Sequence, residues 1–143
     1  MIAVDTNLLV YAHRRDASLH TAAQASLRQL AEGPDPWALP WPCVHEFLAV
    51  VTHPRIFSPP TELARALAQV TAWLDSPTVE LLHESEGYWA HLASLCSEGK
   101  IAGPRVHDAR IAALCLHHGV RELWSADRDF SRFPALAVRN PLL

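Results

Sequence analysis

Hydrophobic and polar positions fall in blocks along this chain, and their spacing divides it into short strands and amphipathic helices. Ile2-Ala3-Val4 is an unbroken apolar run that stops at Asp5, which marks a buried strand ending at a polar edge. Leu8 to Arg14 has helical character, and Asp16 or Ser18 is placed to cap a second helix running through Leu30. Gly33-Pro34-Asp35-Pro36 forms a turn, followed by a candidate strand at Trp37-Ala38-Leu39. Pro42 suits the first turn of a helix, where its missing N–H costs nothing. That helix extends to Thr52, before His53-Pro54 breaks it.

After the loop Phe57-Ser58-Pro59-Pro60, Thr61 is placed to cap a helix carrying Leu63, Leu67, Val70 and Leu74 on one face. Ser76-Pro77 ends it, and Thr78 to Leu82 reads as a third strand. Glu86 to Cys96 is a helix, Gly99 to Pro104 a loop, and His107 to His118 a helix closed by Gly119. Val120 to Trp124 is a fourth strand, and Leu136-Ala137-Val138 a short fifth. Strands alternating with helices predict an α/β fold: a parallel central sheet of four to five strands, flanked by helices on both faces. No internal repeat, low-complexity tract or linker marks a second domain.

Composition narrows this picture. A length of 143 residues, half of them hydrophobic, fits one domain with one core. A net charge of −3 leaves no electrostatic footprint for sequence-independent nucleic-acid binding. Five tryptophans are many for this length, so some are expected at an interface. Cys43, Cys96 and Cys115 have no metal-ligand spacing and read as buried thiols in a reducing compartment. No basic leader precedes an apolar run, and no window approaches the ~20 apolar residues that span a bilayer. The expectation is a cytoplasmic protein without a membrane segment.

The acids change the picture most. Ligands of an open α/β sheet bind outside the carboxyl ends of its strands. Asp5 ends the first strand, and Asp127 follows Leu123-Trp124-Ser125. Asp108 lies in the first turn of a helix and shares a stripe with the apolar Ile111, Ala112 and Cys115. The alternative is a helix-terminal acid held by the macrodipole. Glu46 lies on a helix that is apolar nearly all round, which favours burial, and hence a partner, a proton or a metal, over the alternative of a solvated outer face. Several ionised carboxylates cannot share a small space unless a cation neutralises them. Hard oxygen ligands select Mg²⁺ or Mn²⁺ over Zn²⁺, and such an ion supports hydrolysis of a phosphodiester bond.

Val4-Asp5-Thr6-Asn7-Leu8-Leu9-Val10-Tyr11 resembles the opening of PIN-domain ribonucleases, especially the VapC toxins of bacterial toxin–antitoxin pairs. His107-Asp108-Ala109-Arg110-Ile111-Ala112-Ala113-Leu114 is similar to the family's helix-borne acid motif, and Ser125-Ala126-Asp127-Arg128-Asp129-Phe130 to its last motif. Glu46 matches the family's second acid. The resemblance runs from Ile2 to Val138. It implies a single PIN-like nuclease domain over residues 1–143, acting as an Mg²⁺-dependent endoribonuclease, with Mn²⁺ a substitute. It implies catalytic roles for Asp5, Glu46, Asp108 and Asp127, with Asp5, Asp108 and Asp127 on the metal. It implies Asn7 and Ser125 as polar supports and leaves Asp129 as a possible additional acid, since on a strand extension Asp127 and Asp129 would point the same way and either could reach the metal. An RNA substrate, a cognate antitoxin and a homodimer are the implied partners.

Other residues carry less. His45-Glu46-Phe47-Leu48-Ala49 opens like a zincin motif but has Ala49 where a second histidine is required. His107 reads as a surface residue beside the pocket, with a catalytic-base role the weaker alternative. Arg14, Arg15, Arg105, Arg110, Arg128 and Arg132 flank the acidic motifs and would hold RNA phosphates if they ring the cleft, although surface ion pairs are the commoner use. Trp37 and Trp41 fit core or dimer packing better than base stacking. A phosphatase with an aspartyl nucleophile would need an acid where Asn7 stands. A non-catalytic binding module would have no need of the complete acid set.

Overall fold

The computed structural model describes residues 1–143. Five parallel strands form one sheet: β1 (Ile2–Val4), β2 (Trp37–Pro40), β3 (Val79–Leu82), β4 (Glu122–Trp124) and β5 (Val138–Arg139). Their order across the sheet is β3-β2-β1-β4-β5. Six α-helices connect them: α1 (Thr6–His13), α2 (His20–Ala31), α3 (Trp41–Val51), α4 (Leu63–Leu74), α5 (Tyr88–Gly99) and α6 (Val106–His117).

This order explains where a site must lie. The chain steps from β1 to β2 to β3 in one direction, then returns across β1 to β4 and β5. Right-handed crossovers put α1 to α4 on one face and α5 and α6 on the other. The connections that follow β1 and β4 therefore diverge, opening a crevice at the carboxyl ends of those two strands. Because both faces are covered, β1 and β2 are apolar at every position and β4 is apolar after Glu122, and Ala3, Val4, Ala38, Leu39 and Leu123 are fully buried.

Several boundaries differ from the sequence expectation for identifiable reasons. Helix α1 begins at Thr6, two residues before Leu8, because Asp5 caps it by accepting the Thr6 N–H at 2.8 Å. Neither Asp16 nor Ser18 caps α2. That helix starts after Leu19 without a side-chain cap, and Asp16 instead pairs with Arg14 at 2.7 Å. Thr61 is likewise not the cap of α4, whose preceding residue is Glu62. Its buried hydroxyl lies 3.1 Å from His13 Nε2 and accepts from Arg14 at 3.3 Å. The face that α4 buries is Ala66, Val70 and Trp73, whereas Leu63 and Leu67 are exposed. The bulky Trp73 sets that helical phase by packing edge-on to the buried Phe47, 4.8 Å between ring centroids.

Helix α5 starts at Tyr88 rather than Glu86 because Gly87 adopts a left-handed conformation, φ 92°, that an extended helix excludes. The fifth strand is Val138–Arg139, displaced from the apolar run at Leu136. Trp37, Trp73 and Trp124 are core residues, Trp41 is half-buried, and Trp89 alone projects into solvent. Phe47 also meets His13 edge-on at 5.3 Å, so it ties α1, α3 and α4 together. Phe47→Ala is expected to lower unfolding free energy by about 3–5 kcal/mol in a urea titration, the range for a buried aromatic truncated to a methyl group.

Candidate active site

Asp5 follows β1 directly, and its backbone N–H still bonds the Trp124 carbonyl of β4 at 3.0 Å. Its carboxylate turns inward and is almost wholly buried. Oδ1 accepts the Thr6 N–H at 2.8 Å and the Cys43 thiol at 3.6 Å, and Oδ2 accepts the Ser125 hydroxyl at 2.7 Å. Ser125, the first residue past β4, is the hub of the site. Its Oγ also receives the Asn7 amide at 3.3 Å and the Asp127 backbone N–H at 3.0 Å. Asn7 completes the link by accepting the Ala126 N–H at 3.2 Å. Asn7 and Ser125 thus bind the β1 and β4 ends to each other.

Asp127 caps a 3-10 turn over Arg128–Arg132, its Oδ1 accepting the Asp129 N–H at 2.8 Å. Asp127 and Asp129 do not lie on a strand extension. The turn brings them to the same place by another route. Their carboxylate oxygens and one from Asp108, in the first turn of α6, lie within 4.8 Å of one another. No set of three ligand atoms at that spacing includes a histidine.

Asp5, Glu46, Asp108 and Asp127 all line one cavity of about 290 Å³, together with Thr6, Asn7 and Tyr11. Glu46 departs from expectation in one respect. It stands exposed at the rim rather than buried, because its side of α3 faces the crevice and not the sheet. Oε2 accepts the Thr6 hydroxyl at 3.2 Å. Thr6 and Cys43 are partners that the sequence reading did not assign. The signal for both was local: Thr6 is the first residue of the helix that Asp5 caps, and Cys43 lies one turn before Glu46 on α3.

Electrostatically, the acids stand unneutralised. The ion pairs of the molecule are Arg14–Asp16, Arg28–Glu32 and Arg110–Glu84, so none of the five site acids meets an arginine or lysine within 4.0 Å. Burial pushes the Asp5 carboxyl up to about 6 against bonds from Ser125 and Thr6 that lower it, and Glu46 adds to the rise. Asp108 is also raised, first by burial and then by Asp127, Asp129 and Glu46. Burial raises the thiols of Cys43 and Cys115, the latter to about 12, so neither presents a thiolate for chemistry. Arg14 is committed elsewhere: it grips Asp16, donates to the Pro59 carbonyl and lies 4.2 Å over the Phe57 ring.

A parallel α/β sheet that delivers unpaired carboxylates to its switch point defines a class of acid-pocket α/β domains. Within that class, the chain belongs to the PIN domain family, whose sequence profile matches residues 2–136. It is 38% identical over 142 residues to Ribonuclease VapC43 of Mycobacterium tuberculosis, covering 99% of this chain and 96% of that protein. It is 32% identical over 137 residues to Ribonuclease VapC48 of the same organism, covering 96% and 94%. The fold matches that of VapBC2 from Rickettsia felis, solved bound to a DNA fragment from its promoter, with a TM-score of 0.72, 21% identity and 98% of each chain covered.

A carboxyl raised by burial weakens the fold once it ionises. The contribution of Asp5 is most favourable below its ordinary value of 3.8 and is lost as pH rises to about 6. Asp5→Asn keeps the shape without the charge. In metal-free protein the variant is expected to melt several degrees above wild type at pH 8, with the gap closing between pH 6 and pH 4. A gap independent of pH in thermal melts would contradict a buried, ionised Asp5.

Proposed function

We propose that this chain is an Mg²⁺-dependent endoribonuclease, with Mn²⁺ an effective substitute, and the toxin half of a toxin–antitoxin pair. One observation carries the metal dependence. Carboxylates from four separate segments converge with no cationic side chain within 4.0 Å of any of them, Arg132 acting on Asp108 only from farther off. An all-oxygen donor set with solvent access fits a hard divalent cation. The three mutually close acids Asp108, Asp127 and Asp129 are suited to hold it. Asp5 lies deeper in the same cavity, as a further ligand or as the fixed charge behind the ion. When bound, the cation supplies Lewis-acid stabilisation of charge on a phosphoryl oxygen.

The remaining roles fall to the protein. Ser125, Thr6 and Asn7 fix the Asp5 carboxylate and the Asp127 backbone so that the acids keep their spacing without reorganisation. Glu46 uses Oε2 for Thr6, and Oε1 has no protein hydrogen-bond partner. At the exposed rim it is placed to orient an attacking water and take its proton. The full-length similarity to proteins named ribonucleases supports RNA as substrate.

The toxin reading brings further expectations: residues 1–143 as one nuclease domain, a cytoplasmic location, a cognate antitoxin that covers the acid cavity, and a homodimer. Exposed Leu63 and Leu67 on α4 and exposed Trp89 on α5 offer separate apolar faces for protein partners. No helix is long and apolar enough to cross a membrane.

Asp5→Asn and Asp108→Asn are each expected to reduce Mg²⁺-dependent RNA cleavage by more than about a hundredfold, the scale on which one preorganised charge-stabilising group matters. EDTA should abolish cleavage, and added Mn²⁺ should restore it. The same variants should fail to arrest growth when induced in cells, with RNA ends sequenced in parallel. Unchanged cleavage by both variants would refute the assignment. Glu46→Gln should lower kcat while leaving Mn²⁺ affinity near that of wild type, measured by calorimetry.

A further inference from the structure

A second groove, of about 550 Å³, runs between α3 and the start of α6. It shares Glu46, Asp108 and Ile111 with the acid cavity, so the two adjoin along those residues. Away from those shared acids its walls change character. One side offers Pro42 and His45, and the other Pro104, His107 and Arg110. The exposed His45 ring lies 25° from the plane of the half-buried Trp41 indole, with centroids 6.0 Å apart, which makes a two-ring platform. Arg110 is tied to Glu84 through Nε at 2.9 Å, and both Nη groups remain available. His107 is exposed and makes no hydrogen bond to the protein.

We infer that this groove is a nucleotide subsite, which receives the nucleotide next to the scissile phosphate of a single-stranded RNA. The inference rests on the nuclease reading above. Ring faces and phosphate donors together are what an unpaired nucleotide requires: its base stacks on His45 backed by Trp41, and its phosphate meets Arg110 and His107. A duplex keeps its bases stacked on one another and offers no free face to the platform. Because Glu46 and Asp108 line both spaces, a nucleotide in the groove lies next to a phosphate in the cavity. The guanidinium of Arg110, in the groove wall, also orients the strand, because the unneutralised acids repel phosphate until a cation is bound. His45 and Arg110 are positioning residues in this arrangement, not catalytic ones.

The test uses an oligoribonucleotide with one mapped cleavage site and two derivatives, each abasic at one of the nucleotides flanking the cut. With wild-type protein and Mg²⁺, removal of the base on one side should raise KM by about tenfold, the scale of a lost base–aromatic stack, with kcat nearly unchanged. His45→Ala should raise KM for the intact RNA by a similar factor, and the abasic derivative should then cost nothing more. His45→Phe, which keeps a ring face, should restore wild-type KM. Arg110→Ala should flatten the dependence of KM on salt. Multiplying effects of His45→Ala and base removal would overturn the subsite, as would an unchanged KM in the variant. A collapse of kcat in His45→Ala would also overturn it, by placing His45 in the catalytic machinery. In each of those cases wild-type cleavage stands, and with it the nuclease reading. A wild type that cuts no RNA removes both.

Discussion

Like-charge crowding is the constraint on which this structure depends. Five carboxyl groups face one crevice, and no guanidinium or ammonium is within ion-pairing distance of any of them. Folding must hold them there without their natural counter-charge. Part of the solution is hydrogen bonding. One serine hydroxyl, Ser125, serves Asp5, Asn7 and the backbone of Asp127 together, while the start of α1 gives Asp5 a backbone N–H. Burial nonetheless makes ionisation costly, lifting Asp5 to about 6 and raising Asp108. A bound cation would remove the remaining repulsion, so the free energy stored in the crowded acids becomes affinity for metal.

The sheet order turns this local chemistry into a site. Strands β1 and β4 are neighbours in space but lie far apart in sequence, and the connections after them diverge. The residue after each strand therefore opens into the same crevice: Asp5 after β1, and Ser125 then Asp127 after β4. Helix α3 brings Glu46 from one face and α6 brings Asp108 from the other.

Much of this was legible in the sequence because its signals are local. Ile2-Ala3-Val4 stopping at Asp5 identifies both a strand and the end that opens into the cavity, and Gly119 closes α6 as its spacing predicts. Sequence could not supply the phase of α4. Leu63 and Leu67 share a helical stripe, but packing against Phe47 rotates Trp73 inward instead. Nor could it supply the exposure of Glu46, because an apolar helix looks buried whichever part of it lines a crevice. The route that brings Asp127 and Asp129 beside Asp108 depends on a 3-10 turn with no periodicity to read. In each case tertiary packing decided among options that local pattern left equal.

The most direct measurement of the central claim is the melting temperature of metal-free protein as Mn²⁺ is titrated in at neutral pH. Crowded, unneutralised acids predict a saturable rise, worth about 2.7 kcal/mol at a hundred times the dissociation constant. The rise should be reversed by EDTA and largely lost in Asp108→Asn. A melting temperature indifferent to Mn²⁺ and Mg²⁺ would contradict the account, because the acids would then be at peace without a cation.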